Sequence, residues 1–170
     1  MHRIFAGMAV WASIFMAAEV ALGILAKRVS PALVGVHLAV GVLLGIYLSL
    51  LHVMVMFHFI GSGKEMKQAM EVLGEDADLV RQLRKLKMVV SPLATFAPVV
   101  FGAGVIVGGG AHMKTLGNWA WIHWALGVAG IALNAYAFPV EYRALVTNLE
   151  ILRQVDERLK REIAPGLFHE

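Results

Sequence analysis

The chain contains no cysteine among its 170 residues. This absence excludes disulfide bonds, iron–sulfur clusters held by thiolates, and covalent attachment of c-type haem, which needs a C-x-x-C-H segment. Charged residues are also scarce at 16%, whereas 59% of the residues are hydrophobic and the mean hydropathy is +0.71. Soluble domains carry more charge, so the composition predicts a membrane protein in which His, Met, Lys, carboxylate or backbone groups hold any cofactor.

Long hydrophobic runs dominate the sequence instead. Four of them are close to or above the ~20 helical residues that are needed to cross about 30 Å of hydrocarbon. They cover residues 4–26, 32–60, 88–108 and 119–138. We therefore predict an all-α polytopic membrane protein, with a four-transmembrane-helix bundle over residues 1–144 and a cytoplasmic amphipathic helix and tail over residues 145–170.

The basic residues are divided unevenly between the two predicted sides of the membrane. Twelve of the fifteen lysines and arginines fall on the side that carries both termini, and Lys27, Arg28 and Lys114 fall on the other. Cytoplasmic segments carry an excess of such residues, so we predict cytoplasmic termini, in an inner membrane of bacterial type. Lys27 and Arg28 also stand where a signal peptide would have small residues for cleavage, which favours a span for the first run.

Two polar segments are predicted to be helical. Residues 64–87 contain spaced methionines and leucines, and the GEDAD stretch at 74–78 is expected to break the helix. Residues 140–163 place apolar side chains three and four positions apart, which is typical of an amphipathic helix. This second helix would extend the fourth span, lie on the membrane, or pack on a partner.

Two histidines are predicted to lie at one depth of the bilayer. His37 comes six residues after Pro31, and His123 comes five residues after Asn118, on spans that run in the same direction. At ~1.5 Å per residue, both therefore lie in the outer leaflet. Parallel helices that carry imidazoles at the same depth suit bis-histidine ligation of haem b, so we predict His37 and His123 as axial ligands of haem iron.

Glu19 is predicted near the same depth, on a span that runs the opposite way. A carboxylate inside a membrane span is costly and therefore indicates a functional site. It would orient a ligand imidazole through the second ring nitrogen, take up a proton, or bind a metal. The alternative is a protonated glutamate that bonds across helices or faces a crevice.

Three further side chains are candidates of a different kind. His52 follows His37 by 15 residues, or about 22 Å of helix, and is predicted as a second iron ligand in the inner leaflet that lacks an obvious partner. His58 falls near the cytoplasmic interface, where an interfacial histidine is the alternative to a ligand. Trp121 belongs to a cluster with Trp119 and Trp124. Such a cluster is typical of an interfacial aromatic belt, and the alternative for Trp121 is to line a haem edge.

A set of short motifs resembles a known family. An apolar span is bracketed by histidines 21 residues apart and closes with Phe57 and His58. A basic loop follows, and then come the segments KLKMVVSP (85–92), VVFGAGVIVGG (99–109) and WIH (121–123). Over residues 35–130, this pattern resembles the HemJ-type protoporphyrinogen oxidases and the wider CopD-like group of small membrane haem proteins.

The resemblance implies a helical bundle that binds haem b, with His37 at the position of the family's first-span haem histidine. In that family a lysine implicated in haem ligation typically follows the W-L-H motif by two residues, whereas Ala125 stands there in this chain. The chain also has an extra span before the matching region and lacks the family's last span. The missing lysine argues against the oxidase activity and leaves the second axial position open, which His123 could fill.

Three functions are consistent with these patterns. The first is a b-type haem protein that transfers electrons between the quinone pool and a partner, alone, as a homo-oligomer or within a larger membrane complex. The second is a protoporphyrinogen IX oxidase of the HemJ type. The third is a non-haem membrane protein, either a metal handler that uses His, Met and Glu19 or a structural subunit.

Overall fold

Four long α-helices make up nearly all of the structure, a computed structural model that describes residues 1–30, 32–74, 76–113, 115 and 117–163. The helices are α1 (His2–Arg28), α2 (Ala32–Leu73), α3 (Ala77–His112) and α4 (Trp121–Ile163). A short 3₁₀ turn, Gly117–Ala120, precedes α4. No strand occurs in the described part of the chain, so the prediction of an all-α fold is confirmed.

Each of the four helices is long and apolar enough to cross a membrane. Large apolar side chains such as Leu43 and Ile106 point outward and are 67% and 78% exposed. Outward-facing apolar residues of this size fit a lipid environment, because a bilayer solvates them as well as a protein core does. The chain is therefore an integral membrane protein with four spanning helices, as the sequence predicts.

Contacts between side chains define how the helices run relative to one another. α1 runs antiparallel to α2, because Glu19 contacts His37 while the earlier Met8 carbonyl accepts from the later Tyr47 hydroxyl at 3.1 Å. α3 runs antiparallel to α4, because the Gly104 carbonyl lies 2.9 Å from His123 while the earlier Ala97 carbonyl accepts from the later Asn134 amide at 3.1 Å. Successive spans therefore alternate in direction, and α2 and α4 run parallel. α1 begins at the level of Tyr142, which its His2 ring contacts, and the other three helices continue beyond it. We call the end that holds the α2–α3 connection and the last turns of α4 the polar end.

Glycines let α3 and α4 approach until their backbones touch. A methyl group on Gly130 would lie 2.8 Å from the Phe101 Cα atom, and one on Gly104 would lie 3.3 Å from the Gly127 nitrogen. Small residues at crossing points are the usual means of close packing in membranes, where lipid tails are as apolar as the helix surfaces. The α3–α4 pair is therefore held by backbone proximity near its middle.

At the polar end, α2 and α3 continue past the predicted spans and are joined by a tight turn. The break falls within the expected GEDAD segment: α2 ends at Leu73, Gly74 has a φ of +79°, and α3 begins at Ala77. Asp76 caps α3 by accepting from the backbone N–H groups of Asp78 and Leu79 at 3.0 and 3.1 Å. Since the cap satisfies donors that have no partner within the helix, it fixes where α3 starts.

The amphipathic segment 140–163 is the continuation of the fourth span, which is one of the three arrangements the sequence left open. α4 passes through residue 144 without a break. Its apolar stripe, which includes Leu145, Ile151 and Val155, is buried in the same cluster as Met66 of α2. The stripe therefore packs on the chain itself.

Candidate functional site

Three polar side chains from three helices meet at the end of the bundle opposite the polar end. The His37 Nδ1 atom of α2 lies 2.8 Å from the Glu19 Oε1 atom of α1. The ring centroids of His37 and His123 are 6.0 Å apart, with an interplanar angle of 72°. The structure thus brings together Glu19, His37 and His123, three residues that were predicted to share one depth. We call them the outer triad.

The ring nitrogens of the outer triad are only partly satisfied. The His123 Nδ1 atom lies 2.9 Å from the Gly104 carbonyl oxygen, and only an N–H donor fits that contact. The His37–Glu19 contact is short but is not oriented as a hydrogen bond, so His37 Nδ1 and Glu19 Oε2 are both buried without a hydrogen-bond partner. An oxygen atom therefore lies close to Nδ1 in both rings but forms a hydrogen bond only with His123, and Nε2 of each ring makes no hydrogen bond with the described residues.

A glycine on the neighbouring helix makes room for each member of the outer triad. A methyl group on Gly23 would lie 2.9 Å from the His37 ring, and one on Gly108 would lie 2.8 Å from the His123 ring. Gly41 stands in the same relation to Glu19, with 2.8 Å to its Oε1 atom. Side chains at these positions would displace the polar groups, so the glycines are part of the site.

A second polar cluster lies deeper in the bundle and is fully buried. His52 contacts the Glu141 Oε1 atom through Nδ1 at 2.8 Å and the Asn134 Oδ1 atom through Nε2 at 3.0 Å. The three side chains have no solvent exposure, and the His52 ring stacks on Phe138. We call His52, Asn134 and Glu141 the middle cluster.

The hydrogen bonds of Asn134 determine where the protons of the middle cluster lie. Its Nδ2 group donates to the carbonyls of Ala97 and Gly130 at 3.1 and 2.7 Å, so both amide protons are used and Oδ1 must accept. His52 therefore carries a proton on Nε2, and one further proton lies between Nδ1 and Glu141. Both ring nitrogens of His52 are thus engaged by neighbouring side chains, and its role as an iron ligand stays a prediction.

His58 makes a third polar contact between α2 and α4, nearer the polar end. Its Nε2 atom lies 3.2 Å from the Asn148 Nδ2 atom, and Asn148 itself is fully buried. The contact explains why a histidine is accommodated there and adds no second ligand. Polar contacts therefore join the parallel helices α2 and α4 at three depths.

Two tryptophans near the outer triad differ in their surroundings. The Trp121 side chain is 60% exposed, as expected for the aromatic belt, and it forms no ring contact with the outer triad. Trp124 is the tryptophan beside the site, with its ring centroid 6.3 Å from that of His123. His112 is exposed at the end of α3.

Sequence reasoning missed the partners of His52 and His58, although a signal was present. Asn134, Glu141 and Asn148 are spaced seven residues apart in a largely apolar stretch. Seven residues are close to two helical turns, so the three side chains share one face of α4. Polar residues repeated at that interval indicate a polar seam against a neighbouring helix.

The donor set limits what the outer triad can bind. No group of three or more His, Asp or Glu side chains is arranged to hold a metal ion within the described ranges. A structural or catalytic zinc ion needs three or four protein ligands. Haem iron takes only two protein ligands because the porphyrin supplies the other four, so two histidines are enough in number for haem iron.

Comparisons of the chain with protein families, with curated proteins and with solved structures give no match. The resemblance to the HemJ-type and CopD-like proteins therefore stays a prediction from the motifs described above.

Proposed function

We propose that the protein binds haem b at the outer triad, with His37 and His123 as axial ligands, and transfers electrons within the membrane. One observation carries this proposal: in each of two neighbouring histidines from parallel helices, an oxygen atom lies 2.8 or 2.9 Å from Nδ1, and Nε2 makes no hydrogen bond with the described residues. Metal-bound histidines commonly show this pattern, because a carboxylate or carbonyl at one nitrogen orients the ring and raises the basicity of the other.

The proposal assigns a role to each residue of the site. Glu19 would hold the His37 ring and increase the electron density at its Nε2 atom, and the Gly104 carbonyl would do the same for His123. The two rings now touch edge to face, so ligation requires both side chains to change rotamer until their Nε2 atoms face each other. The glycines beside both rings provide space that larger residues would fill.

Haem b would supply a reversible one-electron couple at this site. The surrounding apolar helices lower the local dielectric constant, and the axial ligands and Glu19 set the electrostatics that tune the potential. We propose the quinone pool and a partner protein as electron donor and acceptor, since both are accessible to a bilayer protein. The positive-inside rule supports cytoplasmic termini, which would place the outer triad toward the opposite face of a bacterial-type inner membrane.

The two alternative functions have less support. The oxidase activity depends on a lysine whose position is occupied by Ala125. A metal-handling role has less support because the outer triad is not arranged as a group that could hold a metal ion in the described part of the chain.

A visible spectrum of the purified full chain tests the proposal directly. After expression in a haem-replete host, we expect about one haem per chain and a sharp reduced α-band. His37→Ala and His123→Ala should each remove most of the haem or convert it to a weakly ligated form, because one axial bond is lost. His112→Ala is the matched control, since His112 is an exposed histidine outside the site.

Two results would overturn the proposal. The first is purified, folded protein that contains no haem. The second is haem content and spectra that are the same in His37→Ala, His123→Ala and the control, which would remove the ligand assignment even if haem were bound.

A further inference from the structure

A groove between α2 and α3 at the polar end concentrates positive charge. It encloses about 480 Å³ and is lined by the basic side chains of Lys67, Arg84 and Lys87. One carboxylate, Glu71, lines the same groove, which leaves a net charge of +2. We call this cavity the α2–α3 groove.

The three basic residues of the groove lack carboxylate partners within the described part of the chain. The ion pairs of the polar end are Arg81 with Asp78, Arg158 with Asp76, and Lys160 with Asp156. None of them includes Lys67, Arg84 or Lys87. Unpaired cations that share a cavity repel one another. A bound anion would offset this repulsion, so the cavity attracts anions.

The groove is also shaped for a ligand with an apolar part. Met66 and Leu83 line it and are only 3% and 4% exposed, so they form an apolar floor beneath the charges. Gly63 lies on the same wall, and the Lys87 ammonium group lies over it in a space that any larger side chain would occupy. The cationic rim and apolar floor therefore match an amphiphile with an anionic head.

The position of the groove along the bundle identifies the amphiphile. The groove begins three residues after the predicted end of the second span at residue 60, and Lys87 immediately precedes the third span. This level is where bilayer headgroups lie. A neighbouring cavity of about 680 Å³ at the α2–α3 turn is different, because its two arginines are outnumbered by Asp76, Asp78 and Glu162.

We propose that the α2–α3 groove binds the phosphate group of an anionic phospholipid. Lys67, Arg84 and Lys87 would contact the phosphate oxygens, and Met66 and Leu83 would contact the carbon atoms next to it. Basic pockets between helices at the membrane surface suit such headgroups. A free phosphate compound shares the same chemistry, so the experiment must separate the two sources. This binding is independent of any haem.

The test is native mass spectrometry of the full chain in neutral detergent during titration with phosphatidylglycerol or phosphatidylcholine. We expect selective retention of phosphatidylglycerol. Lys67→Gln, Arg84→Gln and Lys87→Gln combined should weaken it by about 100-fold. The matched control combines Lys64→Gln, Arg81→Gln and Lys85→Gln, which removes the same charge from exposed positions of the same helices and should bind as the wild type does.

A conservative variant protects the test against simple misfolding. Lys67→Arg, Arg84→Lys and Lys87→Arg combined keep every charge and should retain most of the binding. Equal weakening in the glutamine variant and its control would overturn the proposal, as would equal retention of the two lipids. If inorganic phosphate or glycerol phosphate displaced the lipid at millimolar concentration, the phosphate chemistry would stand and the lipid source would be overturned.

Discussion

At the residue scale, the middle cluster shows how a membrane interior accommodates ionisable groups. His52 and Glu141 have no exposure, yet every polar atom of the histidine ring has a partner. Burying one such group alone costs several kcal/mol, whereas the pair together carries no net charge in either proton arrangement. Removing one partner of this pair should therefore lower the stability of the fold strongly, whereas replacing it by a neutral hydrogen-bonding side chain should lower the stability little.

We predict that Glu141→Ala lowers the free energy of unfolding by about 3–5 kcal/mol, because it leaves His52 Nδ1 buried and unpaired. Glu141→Gln should lower the free energy of unfolding much less, since the glutamine amide can donate to His52 Nδ1 while His52 Nε2 keeps its proton for Asn134. Denaturant unfolding in detergent micelles measures both changes. The control is Glu150→Ala on the exposed side of α4. If Glu141→Ala lowered the free energy of unfolding no more than this control does, the account would be contradicted.

A second residue-scale prediction concerns Gly108. Gly108→Ala would place its methyl group 2.8 Å from the His123 ring, so we expect the ring to be displaced, with lower stability and less bound haem. Gly127→Ala is the control, because nothing lies within 4 Å of its added methyl group. A helical Gly→Ala change without a clash should stabilise by roughly 0.5–1 kcal/mol, so opposite signs for the two variants are expected. Equal unfolding midpoints and haem content would refute the packing argument.

At the element scale, the turn between α2 and α3 depends on Asp76. Its carboxylate accepts from two backbone N–H groups of α3 and also pairs with Arg158 of α4. The Asp76 side chain thus caps α3 at the end of the α2–α3 connection and links this connection to α4. These contacts lower the pKa of Asp76, with the Leu79 backbone bond as the largest cause and the Arg158 hydrogen bond as the next.

The lowered pKa gives a pH-dependent prediction. Because the folded state favours the ionised carboxylate, Asp76 stabilises the fold above its unfolded pKa of about 3.9, and this contribution is lost as the pH falls through its folded pKa. Asp76→Ala should destabilise more than Asp76→Asn, since asparagine keeps the helix cap and loses only the charge. Thermal unfolding measured from pH 7 to pH 3 gives the stability of each variant. If the difference in unfolding temperature between the wild type and Asp76→Ala stayed constant over this pH range, the prediction would be contradicted.

At the scale of the whole molecule, the antiparallel order of spans predicts on which side each loop lies. The chain has no cysteine, so single-cysteine variants can be labelled without removing native thiols. With cytoplasmic termini, Met113→Cys should react with an impermeant maleimide in intact spheroplasts, and Gln154→Cys should react only after lysis. Both positions are exposed. Labelling of both positions from the same side would refute the topology.

Much of this architecture follows from local sequence. Hydropathy gives the four spans because lipid solvation acts on each helix separately, and the helix rise places Glu19, His37 and His123 at one depth. The partners of His52 could not be derived in this way, since they depend on how α2 and α4 are rotated about their axes. Close backbone packing against α3, as at Gly104 and Gly130, helps to set the rotation of α4, and single-helix patterns do not contain it.

The polar contacts between α2 and α4 also restrict how the bundle can move. A slide of one helix past the other by a single turn, about 5.4 Å, would separate His37 from His123, His52 from Glu141 and His58 from Asn148 at the same time. These two helices therefore behave as one rigid body. α1 makes polar contacts with α2 through the Glu19–His37 pair and through the hydrogen bond from Tyr47 to the Met8 carbonyl. A small tilt of α1 about that hydrogen bond would change the distance of the Glu19 carboxylate from His37 while α2 and α4 keep their mutual contacts.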